Sequence, residues 1–175
     1  MSNRGIIAIV VAIAFIGLLA FGLVAKNGAQ IAVGEPAPDA AVERLDGSGE
    51  VSLSDYRGKW VLLNFWASWC EPCRTEAPAI ERFSKRNPGN LVVVGMDTED
   101  LSGDAMDFVR EFGLTYEMLH DGDGDRKDAY GIFALPESFL IDPDGNLALI
   151  QRGPVDEQFL EERVQPLISG KAATE

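Results

Sequence analysis

Two cysteines and one histidine are all the thiol and imidazole that 175 residues carry, too few for a disulfide-stapled scaffold or a Cys/His zinc cluster. Basic residues are scarce as well. Fifteen Lys and Arg stand against 28 Asp and Glu, a net charge of −13, so the clustered cations that nucleic acid and anionic headgroups demand are missing. Glycine and proline, at 18 and 9, do not reach collagen or low-complexity levels, and no internal repeat is visible. Acids are absent altogether before Lys26. What remains, 46% hydrophobic and 25% charged, suits one domain of medium size with something added.

The addition is N-terminal. Gly5 to Ala25 reads GIIAIVVAIAFIGLLAFGLVA without a charge; as a helix rising about 1.5 Å per residue it spans roughly 31 Å, a bilayer's hydrocarbon thickness. A secretory signal's apolar stretch runs only about 7 to 15 residues. A membrane anchor over residues 1–26 therefore fits better than a cleaved signal, although Ala20-Phe21-Gly22 offers small residues at cleavage spacing. The amino terminus and Arg4 outweigh Lys26, which leaves the N-terminus in the cytoplasm and the remainder on the periplasmic or exterior side of a single span. Gly28, Gly34, Pro36 and Pro38 mark residues 27–38 as a linker. Residues 39–170 are the expected domain and 171–175 a frayed tail.

Within the domain, Ala41–Leu45 and Glu50–Leu53 flank a glycine-rich turn as a hairpin. Lys59–Trp66 and Leu91–Met96 are apolar runs suited to strands buried on both faces. Glu71–Arg86 has Ala77, Ile80 and Phe83 at helical spacing and stops at Asn87-Pro88-Gly89. A second helix, Ala105–Phe112, has Met106, Val109 and Phe112 on one face, ahead of a strand near Tyr116–Leu119 and a short helix at Gly124–Tyr130. Asp142-Pro143-Asp144-Gly145 joins Ser138–Ile141 to Leu147–Ile150 as a second hairpin, and Asp156–Ile168 closes the chain as a helix. The fold class is α/β, a central mixed sheet covered on both faces.

The two cysteines are separated by two residues, Cys70-Glu71-Pro72-Cys73. A disulfide across so short a loop removes little unfolded-chain entropy, so its purpose is chemical. Cys70 sits where a strand ends and a helix begins, and helix N–H groups stabilise a thiolate there. Pro72 falls in the first helical turn, where a missing N–H costs nothing, and stiffens the loop. The expected cycle is attack by Cys70 on a partner disulfide, then attack by Cys73 on Cys70. A peroxidase would want Pro and Thr seven and three residues before its cysteine, where Leu63 and Ala67 stand.

The run Asn64-Phe65-Trp66-Ala67-Ser68-Trp69-Cys70-Glu71-Pro72-Cys73 resembles the active-site segment of thioredoxin-like proteins, and more closely the membrane-anchored thiol-disulfide oxidoreductases of the ResA, CcmG and TlpA group. Val94-Gly95-Met96, Asp121-Gly122-Asp123-Gly124 and Leu135-Pro136-Glu137-Ser138-Phe139 are similar to that group's later segments. The resemblance implies a thioredoxin-like fold with an N-terminal β-hairpin and an inserted helix. It also implies a cis-proline at Pro136 facing the cysteines, with the Leu135 backbone free to pair with substrate. Glu76 corresponds to a proton-handling acid, and Glu137 to a further acid beside the cis-proline. Glu71, between the cysteines, opposes the thiolate. Thioredoxin's buried acid in the preceding strand corresponds here to Asn64, which accepts no proton, so a base assisting Cys73 would have to be Glu76 with a raised pKa.

The implied activity is reduction of protein disulfides, specifically the C-x-x-C-H haem-attachment site of apocytochromes c, with electrons from a membrane thiol carrier of the CcdA or DsbD type. No cofactor is expected beyond the Cys70–Cys73 disulfide. The alternatives are a general periplasmic reductase or oxidase, and a non-catalytic apocytochrome-binding chaperone. Trp69 is equally a core residue or a substrate platform, and Trp66 is core. Asp121 to Asp125 alternates acids like a calcium loop, but Ile132 stands where a bidentate Glu is required, so a solvated turn fits better. His120 reads as a surface or capping histidine.

Overall fold

The computed structural model of the chain describes residues 31–170 together with positions 13, 15 and 17. No helix among the described residues is long and apolar enough to cross a membrane. Of the expected span Gly5–Ala25 only Ile13, Phe15 and Gly17, all helical, are described, and the expected tail at 171–175 lies outside the described residues.

Seven strands form one mixed sheet: β1 (Val42–Arg44), β2 (Glu50–Val51), β3 (Trp60–Trp66), β4 (Leu91–Thr98), β5 (Glu117–Asp121), β6 (Glu137–Ile141) and β7 (Leu147–Arg152), in the order β2-β1-β5-β4-β3-β6-β7. The three central neighbours β3, β4 and β5 are parallel, and β6 and β7 add antiparallel on one side. The helices are α1 (Glu71–Arg86), α2 (Ser102–Phe112), α3 (Asp125–Ala129) and α4, which begins at Glu157 and ends at Ile168. A 3₁₀ turn, Leu53–Tyr56, follows β2.

Alternation along β3 divides the core. Val61, Leu63 and Phe65 point to one side, where they meet Val94, Met96, Leu119, Tyr130 and Phe139. Leu62 and Trp66 point to the other, toward α1, α2 and α4. Both sets are buried, which explains why the strand reads as continuous apolar sequence. Asn64 shares the second side and is the one polar residue buried within β3.

Three expectations are corrected. The linker does not extend to Pro38: Gly34 N–H donates to the Leu147 carbonyl at 2.7 Å, Ala37 N–H to that of Gly145 at 3.0 Å, and Pro36 bridges Asn146. Ile31 already belongs to the compact unit, because Ala37 and Ile31 supply apolar cover for the first face. Helix α2 packs Val109 and Phe112 against the cluster in which it buries Ala105 and Phe108, but Met106 lies off that face and is 37% exposed. Phe108 stacks on Trp66 with ring centroids 4.5 Å apart. Helix α4 is not uniformly α-helical, widening to π-type over Leu160–Val164. Pro166 offers no N–H to the Glu162 carbonyl and its ring would collide with it, and the wider turn relieves both conflicts.

Phe139 is fully buried between Phe65 and Tyr130, at ring-centroid distances of 5.8 and 4.8 Å. Phe139→Ala is expected to lower the unfolding free energy by about 3–5 kcal/mol, measured by urea titration; a loss below about 1 kcal/mol would mean that this face is not the rigid core.

Candidate active site

Strand β3 ends at Trp66, and the next four residues turn into α1, with Cys70 N–H bonded to the Ala67 carbonyl at 3.1 Å. Cys70 is the N-cap of α1 and its Sγ accepts the Cys73 N–H at 3.3 Å, so a helix-terminal donor points at the sulfur. The two cysteines are joined as a disulfide with their Cα atoms 5.3 Å apart. Both are nearly closed to solvent, and they pack with Trp66, Ala67, Ala77 and Phe108. Pro72 lies in the first turn of the helix, exposed like Glu71 before it.

Trp69 is 61% exposed, with its indole N–H held by the Glu99 carbonyl at 3.1 Å, so the core alternative does not describe its setting. Trp66 is core, as expected. The Leu135–Pro136 peptide bond is cis; Pro136 is buried, and Leu135 packs against the cluster that contains both sulfurs.

Glu76, one turn beyond Cys73 on the same helix, is buried to 2% exposure. One carboxylate oxygen accepts the Asn64 side-chain N–H at 2.9 Å and the other accepts the Val155 backbone N–H at 2.9 Å. Asn64 also donates to Ser138 Oγ at 3.0 Å, which fixes its amide. Burial raises the Glu76 carboxyl to about 7 against these two bonds, which favour the ionised form. A depression between α1 and the loop leading into α4, lined by Glu76, Ala79, Arg82 and Val155, gives this carboxyl a route to solvent.

Glu137 is not part of that cluster. In register it lies beside Phe65, on the sheet face opposite Asn64 and Glu76. Its carboxylate is buried and accepts twice from the Arg152 guanidinium, at 3.1 and 3.2 Å. Burial raises its pKa, and the Arg152 charge opposes the rise.

Sequence reasoning missed the polar residues behind the redox loop. Asp97, at the end of β4, is fully buried and meets His120 Nδ1 at 2.6 Å. His120, its side chain 23% exposed, is thus also the partner of a buried acid. Asp121 is buried as well, accepting from Thr98 Oγ1 and from the Arg126 and Lys127 amides, so the turn it opens is not simply solvated. Only strand register could have placed these pairs, and the register is set by tertiary pairing. Phe133, 93% exposed two residues before Leu135, was also passed over; the dense apolar run around it hid which member faces water.

The AhpC/TSA family model matches residues 33–150. The chain belongs to the AhpC/TSA family. This family member is 29% identical to the thiol-disulfide oxidoreductase ResA of Bacillus thuringiensis over 94% of its own length and 97% of the relative's. It is 36% identical to the thiol:disulfide interchange protein DsbE of Escherichia coli, covering 77% and 73% of the two chains. A crystal structure described as the thiol:disulfide interchange protein DsbE from Chlorobium tepidum superposes with a TM-score of 0.74 at 32% identity, over 79% of this chain and 99% of that one. The AhpC/TSA member is accordingly a thioredoxin-like thiol-disulfide oxidoreductase of the ResA/DsbE type.

The raised Glu76 value has a thermodynamic signature. Below the ordinary Glu value of 4.5 both folded and unfolded chains are protonated there; as pH rises toward about 7 the unfolded chain releases its proton first, so stability falls. Glu76→Gln should remove that loss. Urea unfolding at pH 4.5 and pH 8 is expected to show a decline smaller in the variant by on the order of 2–3 kcal/mol, and equal declines in the two proteins would show that Glu76 titrates normally.

Proposed function

We propose that this protein is a membrane-anchored, extracytoplasmic reductase of protein disulfides, acting on the oxidised C-x-x-C-H haem-attachment site of apocytochromes c. The observation that carries the reading is the buried carboxyl of Glu76 one turn behind a Cys70–Cys73 pair at the N-terminus of α1. A carboxyl that holds its proton up to about 7 can take one from the second thiol near neutrality. With Glu71 and Pro72 between the cysteines, no basic residue stands between them to stabilise a free thiolate and make the pair a strong oxidant.

In the forward direction the Cys70 thiolate attacks one sulfur of the substrate disulfide, forming a mixed disulfide and releasing the other sulfur as a thiolate. Cys73, its proton passing to Glu76, then attacks Cys70 Sγ. The Cys70–Cys73 bond forms, the mixed disulfide breaks, and the substrate leaves as a dithiol carrying two electrons. Trp69, Glu71, Pro72, Leu135 and Pro136 would meet the substrate backbone, with Glu137 next to the cis-proline and held by Arg152. Two electrons from a membrane thiol carrier of the CcdA or DsbD type would restore the enzyme dithiol.

Residues 1–26 are the anchor in this reading, supported by the charge-free run from Gly5 and by the Arg4/Lys26 flanks. They would hold the domain, from Ile31 onward, outside the cytoplasm, where an apocytochrome's thiols are oxidised.

The reduction potential of Cys70/Cys73, measured on the full chain in detergent against a thiol buffer series, is expected near the thioredoxin value of about −270 mV. A value near about −120 mV would make the protein a disulfide-forming enzyme. Cys73→Ser is expected to trap a mixed disulfide with an oxidised C-x-x-C-H peptide, detectable by mass spectrometry. A variant with both cysteines replaced by Ser is expected to lose all effect on apocytochrome maturation; retained function would identify a chaperone.

A further inference from the structure

Gly95 leaves a gap on the sheet face that carries the cysteines. It stands in register between Asn64 of β3 and Met118 of β5, so a side chain there would share their direction. A Cβ on Gly95 would lie 2.6 Å from Met118 Sδ, 2.9 Å from Trp66 Nε1 and 3.1 Å from the Tyr116 ring. The missing carbon is what lets the thioether and the indole N–H converge on one place. Trp66 is 2% exposed, and its Nε1–H is buried with no acceptor among the described residues. An unpaired buried donor is costly, and a thioether sulfur is at best a weak acceptor.

Met118 has a second, open side. It packs against the cluster that holds Trp66, Cys70 and Cys73, and it also lines a cavity of about 580 Å³ between the β1–β2 turn, α2 and β5, with Met106 on the same wall. A space of that size admits molecules much larger than water, whose share of liquid volume is about 30 Å³. Small peroxides can therefore reach the Met118 sulfur. Met96 is closed to them, 3% exposed among the apolar side chains of the opposite core.

We infer that Met118 is a site of reversible oxidation to the sulfoxide, and that the Trp66 indole N–H is the donor that receives the new oxygen. In the forward step an Sδ lone pair attacks the terminal oxygen of a hydroperoxide. The S–O bond forms as the O–O bond breaks, the sulfur gives up two electrons, and the proton of the transferred oxygen goes to the departing group, which leaves as water or an alcohol. A dithiol reductase supplies the two electrons and two protons that later remove the oxygen as water. Methionine is unbranched and turns easily about its terminal bonds, so the oxygen can swing from the cavity toward Nε1. A sulfoxide ordinarily disrupts an apolar core. Here it supplies the acceptor that Trp66 lacks, and it ties down an indole that stacks on Phe108 at the strand end leading into the Cys70 loop.

The test treats the ¹⁵N-labelled full chain, in detergent and with the Cys70–Cys73 disulfide formed so that no thiol competes, with hydrogen peroxide. Peptide mass mapping follows the four methionines, and heteronuclear spectra follow the indole N–H signals of the three tryptophans. Met118 is expected to oxidise about tenfold faster than Met96, as exposure dictates. The Trp66 indole signal should move downfield in step with Met118 oxidation and return when methionine sulfoxide reductase is added. Met106→Leu should keep that shift and Met118→Leu abolish it. A Trp66 signal that stays still while Met118 is fully oxidised, or equal oxidation rates at Met96 and Met118, would overturn the proposal. Urea unfolding separates the donor's role from exposure: oxidation is expected to lower the midpoint of Trp66→Phe, which keeps an aromatic ring and lacks the N–H, more than that of the parent. Equal losses would show that Trp66 does not hold the oxygen. If Trp66→Phe does not fold, the indole shift alone decides by the criterion above.

Discussion

The buried carboxyl of Glu76 is the constraint around which the redox end of this protein is arranged. Its two oxygens tie α1 to β3 through Asn64 and to the chain after β7 through the Val155 amide. A charged group in that position would be costly to keep dry, and the structure meets the problem by letting the carboxyl hold its proton up to about 7. Stability and chemistry are therefore coupled at one residue. The proton that eases burial of Glu76 at low pH is the one exchanged near neutrality, and part of the fold's stability is given up as it leaves.

Around that carboxyl, each element has a position-setting task. Strand β3 delivers the turn that starts α1, and its alternation sends Asn64 toward Glu76 and Phe65 toward the opposite core. Phe108 of α2 stacks on Trp66, and Arg74 of α1 lies over the Phe108 and Phe112 rings at 5.6 and 5.0 Å, so α1 and α2 close over the same indole. Glu81 accepts from the Thr115 amide and hydroxyl at 2.9 and 2.7 Å, binding α1 to the segment that leads into β5. The exposed apolar groups near the redox loop include Trp69 at 61%, next to Cys70 in sequence, and Phe133 at 93%, two residues before Leu135 on the cis-proline loop.

Much of this was legible beforehand. Helix α1 spans Glu71–Arg86 as its apolar spacing and its Asn87-Pro88-Gly89 stop indicated, and the strands of the central sheet lie where the apolar runs placed them. Both hairpins appear at their glycine-rich turns. The C-x-x-C chemistry was legible from local order, strand then cysteines then helix, whereas attention to Glu76 came from the resemblance and from Asn64 standing where thioredoxin has an acid. On α2 the expected face holds for Val109 and Phe112, but Ala105 and Phe108 join it and Met106 does not; Phe108 stacks on Trp66, 42 positions earlier in the chain, a contact that helical spacing alone does not show.

The sequence by itself determined the class of fold and the identity of the reacting atoms, because both depend on periodicity and on neighbours within a few residues. Its scarcity of cysteine and histidine leaves a zinc reading of the C-x-x-C short of Cys and His ligands. Tertiary structure alone decided which acids are buried and what they face: Glu76 against Asn64 and Val155, Glu137 against Arg152 on the other side of the sheet, Asp97 against His120. The physical reason is that a carboxyl's protonation depends on desolvation and on partners a few ångströms away, and those partners come from strands whose pairing joins residues far apart in the chain.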